Sequence, residues 1–205
     1  MGLGKGDSGR HQSDGILTWL LPIIVVVLAA GLAPWSESAR EWLRFDRLAI
    51  ADGEYWRLLT GHFTHLGTSH FLLNCAGLLL VWYLVGTQFT AFGWLWISAG
   101  TIIGIDLGFW LLEPQLVWYV GLSGLLHGLL AAGIIGTANN DRQMALLLVV
   151  MLAGKLGYEQ LAGPLPGSVS SSGGSVIVNA HLYGAIAGAL TTVLLTFLSK
   201  QPKSG

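Results

Sequence analysis

Charge is what this chain is short of. Asp, Glu, Lys and Arg together make up 10% of its 205 residues, and the formal net charge is −1. A soluble globular domain carries about 25% charged residues, so too few are present here to cover a water-facing surface, and a soluble fold is excluded. No basic run occurs, which excludes nucleic acid as a partner. Cysteine is nearly absent as well: Cys75 stands alone, so no internal disulfide forms, and the residue reads as a small apolar packing group. Apolar residues fill the place of the missing charge, at 53% of the total with nine tryptophans. The length accommodates about six membrane spans of roughly 20 residues with short loops, in one domain.

Residues 1–14 are Gly-rich and polar and read as a disordered tail. The transmembrane domain is expected over 15–200, with a short cytoplasmic tail at 201–205. The first apolar run, 16–33, has a charged start and a Gly31-Leu32-Ala33 end that resemble a signal peptide. Its length and the five spans behind it favour a retained first helix, with Pro22 near its beginning, where a helix tolerates proline best. Residues 34–68 interrupt the pattern. Glu37, Arg40, Glu41, Arg44, Asp46 and Arg47 alternate with Trp35, Trp42, Leu43, Phe45 and Leu48, as in an amphipathic segment lying at the membrane interface. A partly folded first loop is expected there. Further spans are expected at about 69–87, 89–112, 122–138, 143–162 and 178–199. The Gly-, Pro- and Ser-rich loop at 163–175 is either a mobile cap before the last span or a simple connector. Basic residues are slightly more numerous on the side holding the N-terminus, Arg142 and the C-terminal lysines, so both termini are expected in the cytoplasm.

Two polar side chains stand out within the apolar segments. Ser123, in Gly121-Leu122-Ser123-Gly124, opens a span near the free backbone N–H groups of a helix N-terminus, which stabilise developing negative charge. Gly121 and Gly124 leave room for a substrate backbone. Taken alone, the same residues read rather as small groups for close helix packing. His181, in Ala180-His181-Leu182-Tyr183-Gly184, alters the balance. Gly184-x-x-x-Gly188 on its helix mirrors Gly124-x-x-x-Gly128 on the Ser123 helix, and two such faces bring backbones close in a membrane. An imidazole can then reach the hydroxyl and act as its base.

A second constellation is His62-Phe-Thr-His65-Leu-Gly-Thr-Ser-His70-Phe-Leu-Leu-Asn74. His70 and Asn74 share a helix face and offer two donors, which suits an oxyanion hole. A metal site is the rival reading of three clustered histidines. Their spacing matches no His-Glu-x-x-His pattern and no carboxylate lies among them, so neither a metal nor any other cofactor is expected.

Glu54-Tyr55-Trp56-Arg57, His65-x4-His70-x3-Asn74, Gly121-x-Ser123-Gly124 and Ala180-His181-x-x-Gly184 together resemble the ordered motifs of rhomboid intramembrane serine proteases, from about residue 50 to 190. The resemblance implies an all-α integral membrane protein: a bundle of six transmembrane helices with the Ser123 helix short and central, and a partly folded first loop. It implies Ser123 as nucleophile and His181 as general base with no third acidic member. His70, Asn74 and the Ser123 backbone N–H would form the oxyanion hole, while His65 and the Trp56-Arg57 pair would belong to first-loop architecture.

Many rhomboids place a tyrosine four residues after the serine, under the catalytic histidine. Here that position is His127, on the Ser123 helix face, where it would orient His181 or tune its proton affinity. The run Gly-Leu-Ser-Gly-Leu-Leu-His-Gly and the compact length resemble the rhombosortase branch. This implies a bacterial inner-membrane enzyme that acts in the lipid bilayer on a transmembrane protein substrate with a C-terminal Gly-Gly anchor. The competing classes are a general rhomboid protease with other substrates, a non-cleaving rhomboid-like protein that binds membrane helices, and a small channel. Asp106, Lys155 and Glu159 also lie within apolar runs. They read as paired charges or as groups placed near the outer interface, or, for Lys155 and Glu159, as contacts for a substrate's polar tail end.

Overall fold

The computed structural model describes residues 8–31 and 36–199. The polar tail over 1–7, the signal-like end of the first run and the tail at 201–205 lie outside the described residues.

The chain is helical, as its apolar runs require. With no water in the bilayer core, a span must satisfy its own backbone N–H and C=O groups, and a helix does so within one segment. The first helix, α1 (Ser8–Gly31), is followed by a compact first loop made of α2 (Glu37–Leu43), β1 (Phe45–Asp46), α3 (Arg47–Ala51) and α4 (Arg57–Phe63). Then come α5 (Thr68–Val85), α6 (Ala91–Leu112), β2 (Trp118–Tyr119), α7 (Ser123–Thr137), α8 (Arg142–Ala162), α9 (Ser168–Ser172) and α10 (Val178–Ser199). Among the described residues α5, α6, α8 and α10 are long and apolar enough to cross a membrane, and Pro22–Gly31 and α7 are shorter apolar helices. The expected boundaries hold closely from α5 onward. At the N-terminus they do not: α1 already begins at Ser8, inside the segment expected to be a polar tail, so Pro22 falls in the helix interior.

Caps set the starts of the later helices. Thr90 accepts from the Gly93 N–H at the head of α6, and Asp141 accepts from the Met144 N–H at the head of α8, each satisfying a donor the helix leaves free. The α7 helix has no side-chain cap. Its 15 residues rise about 22 Å at 1.5 Å per residue, short of a hydrocarbon core of roughly 30 Å. Its first residues are enclosed by the surrounding helices: Leu122 is 1% exposed and Gly124 is buried. Around it pack α4, α5, α6, α8 and α10, and most of its residues are buried.

Glycine governs the tightest of these contacts. A Cβ at Gly184 would lie 2.0 Å from the Gly124 carbonyl oxygen, and one at Gly188 would lie 2.2 Å from that of Gly128. Neither is possible for a side chain, so α7 and α10 touch backbone to backbone along the two matched Gly-x-x-x-Gly faces.

The first loop is tied to the segment that precedes Ser123. Phe45 and Asp46 pair antiparallel with Tyr119 and Trp118. The buried Arg57 donates to Glu54 Oε2 at 2.6 Å and to the carbonyls of Glu41 at 2.6 Å and Arg44 at 3.1 Å. Arg47 donates to the carbonyls of Glu113 at 2.8 Å and Leu116 at 3.0 Å, placing a cation at the C-terminal end of α6, where the helix dipole favours it. These arginines act as internal fasteners of the first loop.

Candidate active site

The head of α7 brings Ser123 to the face of α10 that carries His181. His181 Nε2 lies 2.9 Å from Ser123 Oγ. The distance follows from the glycine contact: Gly124 adjoins Ser123, Gly184 lies one helical turn beyond His181, and their backbones meet. His181 is only 5% exposed.

The other ring nitrogen of His181 has a partner that the sequence reading did not give it. Glu159 of α8 places Oε2 2.9 Å from His181 Nδ1, and its Oε1 2.7 Å from Lys155 Nζ. Glu159 is 2% exposed and both of its oxygens are engaged within the protein. The expected pairing of Lys155 with Glu159 is present, and the same carboxylate stands beside His181, where the resemblance implied no third acidic member. A Lys and a Glu one helical turn apart inside an apolar span mark a site rather than a surface. What the sequence lacks is any sign that α8 turns them toward α10.

His127 stacks on His181, with ring centroids 4.2 Å apart and planes inclined by 17°. Its Nδ1 lies 2.7 Å from the Ser123 carbonyl oxygen and therefore carries the proton. His127 thus lies against the imidazole from the Ser123 helix. The liganding atoms of His127, Glu159 and His181 fall within 4.8 Å of one another. They do not fit a metal ion. Stacked rings cannot aim their in-plane lone pairs at one point, and the Lys155 ammonium already neutralises the carboxylate.

On the opposite side stands α5. His70 Nδ1 accepts from the Leu66 backbone N–H at 3.3 Å, which leaves the proton on Nε2. That edge of the ring faces Gly121, whose φ of +137° suits only glycine; a Cβ there would lie 3.2 Å from His70 Cε1 and 3.3 Å from Nε2. Asn74, one turn along α5 and 5% exposed, donates from Nδ2 to the His70 carbonyl at 3.1 Å. His65 lies behind, its ring edge-on to His70 at 5.1 Å and to Phe71 at 5.5 Å. Burial, and then the neighbouring His70, hold His65 down at a pKa of about 4. His62 does not join this group: its Nε2 bonds Asp106 of α6 at 3.1 Å, so the three histidines divide between two environments.

Fold and site together define an all-α, multi-pass integral membrane protein with a Ser–His pair at the buried head of a short central helix. Residues 52–197 match the rhomboid domain family, and the chain belongs to it. Rhomboids are in general intramembrane serine proteases that act on transmembrane substrates in the bilayer. The Bacillus subtilis (strain 168) protein named "Putative rhomboid protease YdcA" is 25% identical over 193 residues, covering 90% of this chain and 92% of the relative. "Rhomboid-like protein 11, chloroplastic" of Arabidopsis thaliana is 30% identical over 159 residues, covering 73% of this chain and 55% of the relative.

Proposed function

We propose that this chain is an intramembrane serine endopeptidase with Ser123 as nucleophile and His181 as general base, and that it cuts membrane-anchored proteins at a C-terminal Gly-Gly sorting tail. The observation that carries the protease reading is the 2.9 Å contact between His181 Nε2 and Ser123 Oγ. A serine hydroxyl is a poor nucleophile until a base takes its proton, and here the base is in hydrogen-bond contact. The substrate's membrane segment enters sideways and unwinds near its small residues. As Ser123 Oγ bonds to the scissile carbonyl carbon, its proton passes to His181 Nε2 and the carbonyl oxygen becomes an oxyanion. The His70 Nε2–H, the Asn74 amide and the uncapped N–H groups of α7 are the donors for that charge. His181 then protonates the leaving nitrogen, and water or an acceptor amine releases the acyl group.

The Gly-Gly specificity rests on the rhombosortase-like run from Gly121 to Gly128. The protease domain spans 15–200 in this reading, in a bacterial inner membrane with both termini cytoplasmic. The test is expression with a reporter carrying a Gly-Gly C-terminal anchor, beside Ser123→Ala and His181→Ala, with the product weighed by mass spectrometry. Cleavage lost in both variants is expected, and the product mass separates hydrolysis from transfer. An uncut Gly-Gly reporter beside a cut ordinary rhomboid substrate would leave a general rhomboid protease. Cleavage that survives Ser123→Ala would refute the mechanism.

A further inference from the structure

The protease reading uses one nitrogen of His181 and leaves the pair of half-buried Lys155 and buried Glu159 without a role. A carboxylate in an apolar span is costly unless each oxygen is matched by a donor. Both oxygens of Glu159 are matched, one by the Lys155 ammonium at 2.7 Å and the other by His181 Nδ1 at 2.9 Å. The resulting chain of contacts, Lys155–Glu159–His181–Ser123, crosses from α8 through α10 to α7.

We propose that Glu159 is the third member of a Ser123–His181–Glu159 triad, a positioning residue that acts through the imidazole, and that Lys155 keeps its carboxylate ionised and aimed. The inference rests on the protease reading of Ser123 and His181. An ionised carboxylate only accepts hydrogen bonds, so the nitrogen facing it must carry a proton. With the proton on Nδ1, the Nε2 lone pair points at Ser123 Oγ, which is the tautomer a base needs. The Lys155 ammonium, 3.4 Å from Nδ1, donates to Glu159 Oε1 at the much shorter distance and does not compete for the ring. When Ser123 Oγ bonds to the carbonyl carbon, its proton moves to Nε2 and the carbonyl π pair moves to oxygen. The positive charge then on the ring lies against the carboxylate. Glu159 takes no proton at any step. As the oxyanion collapses, the C–N bond breaks and the Nε2 proton leaves with the nitrogen, restoring the starting tautomer. The His127 ring stacks on the same imidazole from α7 and bonds only the Ser123 carbonyl, so it fixes the ring plane but not the tautomer.

The test uses the full chain in detergent with three readouts on wild type, Glu159→Gln, Lys155→Arg and Lys155→Met. Reporter cleavage gives kcat and KM. The rate of Ser123 labelling by a small fluorophosphonate, which has no peptide tail, reports the base alone. Proton NMR of protein labelled with 15N-histidine reports the proton on Nδ1. Glu159→Gln is expected to lower kcat and the labelling rate together by about 10²–10⁴-fold, with little change in KM. Lys155→Arg should keep most of both rates and Lys155→Met should lose part of both. A downfield Nδ1 proton is expected in wild type, assigned to His181 by its loss in His181→Gln, and absent in Glu159→Gln. Unchanged kcat and labelling in Glu159→Gln would overturn the triad. A change in KM alone, with labelling intact, would instead make Glu159 a tail contact and overturn it equally. If Glu159→Gln does not fold, the wild-type spectrum decides, and absence of the resonance refutes the proposal. Failure of the protease reading looks different: no cleavage and no labelling by wild type, with the resonance still present.

Discussion

Gly184→Ala is the sharpest single perturbation of this molecule, because it adds one carbon where the two site-bearing helices touch. That Cβ would stand 2.0 Å from the Gly124 carbonyl oxygen and 2.8 Å from its carbon. Both obstacles are backbone, so no side chain can swing aside. Relief requires α7 and α10 to part by about 1 Å, the distance to an ordinary carbon–oxygen contact. Gly124 adjoins Ser123, and Gly184 follows His181 by about 4.5 Å of helix rise, so the opening falls at the pair. The contact between His181 Nε2 and Ser123 Oγ, now 2.9 Å, would pass beyond hydrogen-bond reach at about 3.5 Å. A misplacement of about 1 Å costs on the order of 100-fold in rate, and overpacking costs about 1–3 kcal/mol of stability. The assay is reporter cleavage in detergent with the thermal midpoint measured in parallel. Gly154→Ala and Gly157→Ala are the controls, since a Cβ at either meets nothing within 4 Å; each should leave turnover intact and add up to about 1 kcal/mol of helix stability. Turnover of Gly184→Ala within about twofold of wild type, or an equal loss in the α8 controls, would refute the reasoning.

His70→Ala and Asn74→Ala should each lower kcat by about 10²–10³-fold with little change in KM, as removal of a single oxyanion donor does; a change in KM alone would assign them to substrate binding. His127→Tyr removes the bond to the Ser123 carbonyl while keeping a ring beside His181, and the pH profile of cleavage should shift; an unchanged profile would reduce His127 to packing. His65 is held at about 4 in the folded state against about 6.5 in an unfolded chain, so the unfolded state binds the extra proton between these values. Stability should therefore fall as pH drops from about 6.5 to 4, by at most about 3 kcal/mol. Thermal midpoints across that range should lose part of their slope in His65→Gln, and an unaltered slope would place the loss elsewhere.

Particular residues show how much of this was legible in the sequence. The spans from α5 onward follow from runs of apolar residues between polar breaks, a signal that survives without tertiary context. The α7–α10 contact was legible for a different reason: Gly-x-x-x-Gly on two helices specifies which faces can approach, and approach fixes what adjoins them. Glu159 was only half legible. Its spacing from Lys155 shows that the two share a face, but periodicity says nothing about which neighbour that face meets. The start of α1 at Ser8 was missed because a polar, Gly-containing segment carries no hydrophobic period, so pattern offers no reason to extend the helix there. The division of His62 from His65 and His70 was hidden because its partner, Asp106, lies 44 residues away on another helix.

The Lys155–Glu159 pair separates what holds the helices from what runs the chemistry. A buried ion pair contributes little net stability, since desolvation offsets its attraction, yet removing one partner strands the other charge. Lys155→Met alone leaves the Glu159 carboxylate, 2% exposed, facing an imidazole with no countercharge. Its cost should reach about 3 kcal/mol, reduced because the Lys155 side chain is 31% exposed and water partly screens the pair. The double variant Lys155→Met with Glu159→Gln removes both charges and should return to near wild-type stability. Turnover should not return with it. If Glu159 serves only to keep α8 against α10, stability and turnover will recover together. If it sets the tautomer of His181, the double variant will be as stable as wild type and as slow as Glu159→Gln. Comparing the thermal midpoint and kcat of the four proteins decides between them, and a stable double variant with wild-type kcat would remove the carboxylate from the mechanism.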